Sequence, residues 1–475
     1  MMNIWIVIFL LFAVKTDGRL SRYQRYRKPE PSGQFRMSTL TGEQIALPTS
    51  DQLEWQAQEL GVLIHFNMAT YIENHDACPN DLVPPTSRFN PYLLSTDNWI
   101  QAIMDFGAKY AVLVAKHNCG FLLSPTNVTF PLNPSSKIIP YNYTVDYSPV
   151  KGVNILDEFI RSCNKQKIRT GFYYSTVINN YLNVQNDTLK EGQLNITQET
   201  YSNIVLSQLR ELWTNYGNLE EIWFDGGLAP GVQDAVAKML AELQPHANVF
   251  GGIGITANSI RWIGNEQGHA PDPTWSTGTT ADGGDPDSPI FCPAECDTTL
   301  QIFDRWFWGP YALLRSLQDL IDVYHRTVGR NCLLMLDLTP DRSGIIPSAY
   351  ANRYKELGDF IRSCYGTSVV PSFQNSSLDF MTYMLMFNAP VSVDRSVIQE
   401  DQTRGQVIRA YSVTVLLAIS KDQNEWIQVA TGTSIGNKKI DLWKKGTLLI
   451  RAVKLNITKT IDVPVLKSFT VHLCA

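Results

Sequence analysis

The sequence has little to offer a polyanion. Lysine and arginine number 40 against 45 aspartate and glutamate, giving a formal net charge of -5, and no long basic run compensates. Nucleic-acid affinity comes largely from many cation–phosphate contacts, so a nucleic-acid partner is not expected. Long apolar runs are also missing: none reaches the roughly 20 residues of a spanning helix, so stable membrane insertion is not expected. Internal repeats and low-complexity tracts are absent. Zinc-finger spacing is absent as well, because the one close cysteine pair, Cys292 and Cys296, has neither a second such pair nor an adjacent histidine. A dinucleotide fingerprint is not there either: Gly251-Gly252-Ile253-Gly254 lacks the GxGxxG spacing. Neither a metal nor an organic cofactor is implied.

What is present is ample apolar material. With 475 residues, 44% hydrophobic and 18% charged, the chain has the composition of a globular protein. Its first residues carry the apolar run Ile4 to Val14, followed by Lys15, Thr16, Asp17 and Gly18. The run is too short to span a bilayer and reads as a secretory leader over residues 1–17, the alternative being a buried first element. Six Asn-x-Ser/Thr sequons, at Asn127, Asn142, Asn186, Asn195, Asn375 and Asn456, favour the secretory route. The expected location is extracellular, with a lysosome-type compartment as the alternative. Eight cysteines, at 78, 119, 163, 292, 296, 332, 364 and 474, are an even number of disulfide or buried-thiol candidates whose pairing does not follow from spacing.

Short β-branched runs alternate with amphipathic stretches from about residue 55 to 365. Gly61–Phe66, Tyr110–Ala115, Arg169–Tyr174, Leu219–Asp225, Asn248–Ile253 and Cys332–Asp337 read as strands. Asn98–Phe106, Ile155–Asn164, Tyr201–Tyr216, Val232–Leu243 and Ala312–Val328 read as helices. This rhythm, with strands apolar on both faces, predicts a parallel (β/α)8-type barrel over residues 18–365. Beyond it the texture becomes short strands without strong helices, which predicts an antiparallel β-sandwich over residues 366–475.

Active sites of such barrels lie at the C-terminal strand ends. There the sequence offers His65, Lys116-His117-Asn118, Tyr173-Tyr174 and Asp225, then loops carrying Arg261-Trp262 with Glu266 and Pro293-Ala294-Glu295-Cys296-Asp297. Asp225 stands out because four apolar-rich positions precede it and Gly226-Gly227 follow, letting the chain turn sharply and leave the carboxylate open. Capping of the next helix is the structural alternative. Two carboxylates among aromatics suggest glycoside hydrolysis, one as nucleophile and one as proton donor. For the second role Glu266 and Glu295 compete.

Taken together, Trp55, GVLIHF, Lys116-His117, GFYYS, IWFDGG, GNEQG, PAECD and the late LLMLDLTPDRSG segment resemble the family 29 glycoside hydrolases, the retaining α-L-fucosidases. The likeness runs through the barrel and is nearest to the plant-like branch, which includes 1,3/1,4-linkage-specific enzymes. It implies Asp225 as nucleophile and Glu266 as acid/base, leaving Glu295 to a structural or substrate-subsite role. It also implies fucose contacts from His65, Glu73, His117, Tyr173 or Tyr174, and Trp223; Asn118, Arg261 and Trp262 complete the candidate substrate-binding set. Imidazoles and a carboxylate bond sugar hydroxyls while aromatic faces cover the C6 methyl edge. Two positions depart from the family pattern. Asn118 replaces the second histidine of a pair, and Leu336-Asp337-Leu338-Thr339 replaces an Asn-Ile-Gly-like segment, a change expected to concern packing beneath the site.

The expected activity is therefore removal of terminal α-L-fucose from fucosylated oligosaccharides or glycoproteins by double displacement, with carboxylates about 5–5.5 Å apart. The competing reading is a secreted fucose-binding or matrix protein with this fold and little turnover. Homo-oligomerisation is left open by the sequence.

Overall fold

The computed structural model describes residues 33–72, 78–79, 82–190, 194–229, 231–366, 380–419 and 425–474. The leader over 1–17, Glu73 and Asn375 lie outside the described residues. Eight parallel strands close a barrel in sequential order: β3 (Leu60–Ile64), β4 (Tyr110–Lys116), β5 (Arg169–Tyr174), β6 (Glu221–Trp223), β7 (Asn248–Phe250), β8 (Ser259–Trp262), β9 (Ala294–Thr298) and β10 (Cys332–Leu338). Around it run α1 (Ser50–Gln56), α2 (Thr96–Phe106), α3 (Ile155–Gln166), α4 (Gln198–Asn215), α5 (Gln233–Leu243), α6 (Leu317–Arg326) and α7 (Ser348–Tyr365).

Local chemistry sets these boundaries. Ser95 accepts from the Asn98 N–H to open α2, and Gly107, at φ 101°, closes it in the left-handed conformation that glycine adopts without steric cost. β3, β4 and β10 are buried along their whole length, as parallel strands sheathed by helices must be. Their inward side chains, with Trp55 of α1, form one apolar cluster including Leu63, Val112, Val114, Tyr173, Trp223, Phe250 and Met335.

Two of the eight strands differ from the sequence expectation. Ser259–Trp262 and Ala294–Thr298 read as loops because SIRW and AECDT carry charged residues where a buried strand usually shows apolar ones. No helix separates β7 from β8 or β8 from β9 among the described residues, so the alternating rhythm breaks where those strands fall.

The C-terminal region forms two antiparallel sheets. One has the order β11 (Thr382–Val393), β16 (Leu448–Thr460), β13 (Ile408–Leu417) and β14 (Trp426–Gly432), and the other β15 (Lys439–Leu442), β12 (Arg395–Glu400) and β17 (Leu466–His472). A hairpin of β1 (Phe35–Met37) and β2 (Gln44–Ala46) joins this unit, not the barrel to which a boundary at residue 18 would assign it. Ile45 lies in the sandwich core, and Thr39 Oγ1 donates to Asp462 at 2.7 Å.

The sandwich docks beneath the barrel. Asn437 Nδ2 donates to Gln56 O at 2.8 Å, Asn331 N to Lys438 O at 2.9 Å and Ile440 N to Gly329 O at 3.0 Å. Gln56, Gly329 and Asn331 precede β3 and β10, so this contact occupies the N-terminal face and leaves the opposite, functional face clear.

Disulfides join Cys78 to Cys119, Cys296 to Cys332 and Cys364 to Cys474, so Cys296 pairs across β9–β10 and not with its near neighbour Cys292. Cys163 and Cys292 are buried thiols outside these bonds. The Cys364–Cys474 bond ties the end of α7 to the chain terminus across 110 residues. Closing so long a loop restricts the unfolded chain, so replacing both cysteines with serine should destabilise the protein by about 2–4 kcal/mol. Urea unfolding measures this; an unchanged midpoint would show that the bond adds no constraint.

Candidate active site

The polar strand ends meet at one mouth. His65 follows β3 and is buried, with Nδ1 2.8 Å from Asp337 Oδ1 of β10. With a carboxylate as partner, Nδ1 carries the proton and Nε2 is left as an acceptor. Asp337, placed by the sequence reading in a segment concerned with packing, instead orients this imidazole. His117 follows β4, 5.9 Å from His65 between ring centroids, and its buried Nδ1 has no hydrogen-bond partner within the protein. Burial and, less strongly, the neighbouring Lys116 push the His117 imidazole down to about 3, and burial with His117 lowers His65 well below the usual range. Both rings are neutral near neutral pH, able to donate from one nitrogen and accept at the other. The Cys78–Cys119 bond pins the loop two residues beyond His117.

Strand alternation separates the two tyrosines. Tyr173 points inward, stacks on His117 at 5.5 Å and on Trp223 at 4.9 Å, and donates its hydroxyl to Asp225 Oδ2 at 2.7 Å. Tyr174 points outward, bonding Gln208 of α4 beneath the Lys116 ammonium, so it is not a site residue. Asn118 is half-buried and accepts from Ser175 Oγ at 3.3 Å.

Asp225 is half-buried just beyond β6. Gly226 and Gly227, at φ 71° and 83°, make the reversal that leaves its side chain at the mouth. It does not cap α5, whose N-cap is Val232 with no side-chain hydrogen bond. Glu266 is exposed in the turn after β8, where it accepts from Trp306 Nε1 at 3.0 Å. Gly264 closes that turn: at φ 97° its place admits no side chain, since a Cβ would lie 2.5 Å from Ala281 O.

The competition between Glu266 and Glu295 is separated by depth. Glu295 is fully buried on β9 and accepts from Trp223 Nε1 at 2.9 Å, so it underlies the site and is not a substrate contact. Arg261 is likewise removed from the substrate-binding set. Its guanidinium is spent on main-chain carbonyls of Cys292, Trp275, Thr280 and Asp282, bracing the long loop after β8. Trp262 is half-buried, with Nε1 2.7 Å from Asp297 Oδ1.

Three residues at the mouth were given no role by the sequence, Asp297 although it stands in the PAECD motif and Trp306 and Phe307 because no motif holds them. Asp297, two positions beyond Glu295 on the same strand, also points inward; burial first, then the charges of Glu266 and Asp225, raise its carboxyl to about 8. Tyr173, which holds Asp225, and Trp306, which holds Glu266, both lie against the His65 ring, at 6.0 and 5.0 Å, so the two carboxylates border one space. Trp306 and Phe307 wall that space, with centroids 5.0 and 5.1 Å from His65 and Phe307 4.9 Å from His117. Period-two alternation would have found Asp297 had PAECD been taken as a strand; nothing local marks Trp306 or Phe307. Among the described residues no three His, Cys, Asp or Glu side chains group as metal ligands.

The mouth thus holds two open carboxylates, two neutral imidazoles and aromatic faces, a set suited to a sugar ring and to acid/base and nucleophilic chemistry at one of its carbons. Comparison with known proteins agrees. "Alpha-L-fucosidase 1" of Arabidopsis thaliana is 26% identical over 91% of this chain and 87% of its own, and "Putative alpha-L-fucosidase 1" of Oryza sativa subsp. japonica is 26% identical over 83% and 79%. A solved putative alpha-L-fucosidase from Bacteroides thetaiotaomicron is 28% identical, with a TM-score of 0.78 over 91% of this chain and 100% of that one. A GH29 fucosidase from Ruminococcus gnavus, solved in complex with fucose, shares the fold with a TM-score of 0.73 at 20% identity, over 94% and 97%. The model of the Alpha-L-fucosidase family matches residues 45–366, which include all eight barrel strands and every residue at the mouth; the chain belongs to the alpha-L-fucosidase family of glycoside hydrolases.

Proposed function

We propose that the chain is a secreted, retaining exo-α-L-fucosidase that removes terminal α-L-fucose, preferring α-1,3 and α-1,4 linkages. Asp225 attacks the anomeric carbon while Glu266 protonates the departing oxygen; Glu266 then takes a proton from the water that releases fucose. The observation that carries this reading is the pairing of Asp225, held by the Tyr173 hydroxyl, with a second carboxylate on an exposed turn across the same aromatic-walled space. His65 and His117 are placed to exchange hydrogen bonds with sugar hydroxyls, and the aromatic walls to cover the apolar edge of the ring.

Secretion is supported by the leader-like start of the sequence, by three disulfides and by exposed sequons at Asn127, Asn142, Asn186 and Asn195; Asn456 is half-buried on β16. The linkage preference is supported by the GNEQG and PAECD motifs, which resemble those of the plant-like branch. The binding-protein alternative is disfavoured because both carboxylates are retained.

The test is release of fucose from α-1,2-, 1,3-, 1,4- and 1,6-fucosylated oligosaccharides, with proton NMR of the first product. Early α-fucose from the 1,3 and 1,4 substrates is the expected result. Early β-fucose would overturn retention, and binding without release would restore the alternative.

A further inference from the structure

Two acids sit where an apolar barrel floor is expected. Glu221 of β6 and Glu295 of β9 are both fully buried, among Trp55, Tyr110, Trp223 and Leu333. Each gives one carboxyl oxygen to an indole: Trp55 Nε1 lies 2.8 Å from Glu221 Oε2, and Trp223 Nε1 lies 2.9 Å from Glu295 Oε1. The remaining oxygens, Glu221 Oε1 and Glu295 Oε2, are buried with no protein donor in hydrogen-bonding geometry, and the two carboxyls meet each other. The Tyr110 hydroxyl flanks Glu221, and the charged groups acting on the pair are further acids, Glu220 and Asp297. Among the described residues neither Glu221 nor Glu295 has an ion-pair partner; the one nearby cation, Arg169, is paired with Glu220 at 2.9 Å.

Two facing carboxylates without a cation repel one another, whereas one proton between them turns the contact into a strong O–H···O⁻ bond. We infer that Glu221 and Glu295 share a single proton and act as a positioning pair, holding Trp223 and through it Tyr173 and Asp225. The chain of contacts runs from Trp55 through both glutamates to the Trp223 indole, which stacks between Phe250 at 4.0 Å and Tyr173 at 4.9 Å. Glu295 therefore acts through Trp223 and touches no substrate. The consequence for turnover rests on the proposed role of Asp225; proton sharing does not.

Burial is the main cause that raises both groups above the usual carboxylate range, Glu295 also through Glu221 beside it, so the pair keeps at least one proton from pH 5 to neutrality. A carboxyl raised on folding contributes stability that is complete at acid pH and is lost as pH climbs through its folded value. Wild type should thus lose melting temperature between pH 5 and 8 partly through this pair. Asp297, Glu400 and Asp441 are raised as well, so the comparison must be with variants of the pair.

The experiment compares wild type with Glu295→Gln, Glu221→Gln and Glu295→Leu in the full chain. An amide N–H can replace the shared proton, so each Gln variant should melt within about 3 °C of wild type at pH 5 and lose less than wild type by pH 8. Turnover by Glu295→Gln at pH 5 should stay within about threefold, while Glu295→Leu, which leaves the Trp223 N–H without an acceptor, should lose about tenfold or more in kcat with KM unchanged. Parallel loss of melting temperature in wild type and both Gln variants would overturn the shared proton, as would failure of both to fold at pH 5. Wild-type turnover by a folded Glu295→Leu would overturn the positioning role. If wild type released no fucose, the proposed activity would fall, yet the melting curves would still decide the pair.

Discussion

Asp225→Gly is expected to lower kcat on an aryl α-L-fucoside by about 10⁴-fold, a barrier increase of about 5.5 kcal/mol, while fucose still binds. The change removes the proposed nucleophile and leaves the Tyr173 hydroxyl without its acceptor, but spares His65, His117 and the aromatic walls. Added azide should restore turnover by entering the space the carboxylate leaves. The configuration of the product carries the mechanism: wild type should release α-fucose after two inversions, and the azide-rescued variant should yield β-fucosyl azide after one. Were Asp225 a base that activates water directly, both products would be β. Asp225→Asn, which keeps the side-chain volume and an oxygen for Tyr173, separates loss of the nucleophile from disturbance of the Gly226-Gly227 turn.

The parts of this site that were legible are those where one strand end announces itself locally. GVLIHF, YAVLVAKH and IWFDGG each join an apolar run to a polar residue at its C-terminal end, which is the pattern a covered parallel strand must have if its last residue faces a ligand. β8 and β9 lack that run because β8 carries Arg261 on its outward face, spent on loop carbonyls, and the inward positions of β9 carry Glu295 and Asp297, each held by an indole of another strand. A pattern of apolar residues cannot report a polar interior satisfied at long range. For the same reason Arg261 and Glu295 looked like ligand contacts: each is charged and near a motif, and only the three-dimensional placement of carbonyls and indoles shows what each bonds. Tyr173 and Tyr174 differ by one residue on a strand, and therefore by a whole face, so the sequence alone left both open. Trp306 and Phe307 belong to a loop anchored by Gln301, whose side-chain amide donates to the carbonyls of Arg305 and Phe307, and that loop has no periodicity to read.

Glu266→Gln should lower kcat/KM on a fucosylated oligosaccharide by about 10³-fold, yet cost far less on an activated aryl fucoside. A sugar alcohol leaves poorly unless its oxygen is protonated as the bond breaks, whereas a nitrophenolate leaves without that help. On the activated substrate the second step should become slow, since the proposed double displacement uses the same residue as base toward water, and a burst of phenolate should precede a reduced steady state. Asp297 is the rival acid: its carboxyl is raised to about 8 and is therefore protonated at neutral pH, as a general acid requires. Its position argues against it. Asp297 is only 3% exposed and one of its oxygens is held by Trp262 Nε1, whereas Glu266 stands on the exposed turn where an aglycone would depart. Asp297→Asn should therefore lower rates on the oligosaccharide and the aryl substrate by the same factor, while only Glu266→Gln makes the loss depend on the leaving group. The reverse pattern, with leaving-group dependence in Asp297→Asn and none in Glu266→Gln, would move the proton donor from the turn after β8 to β9.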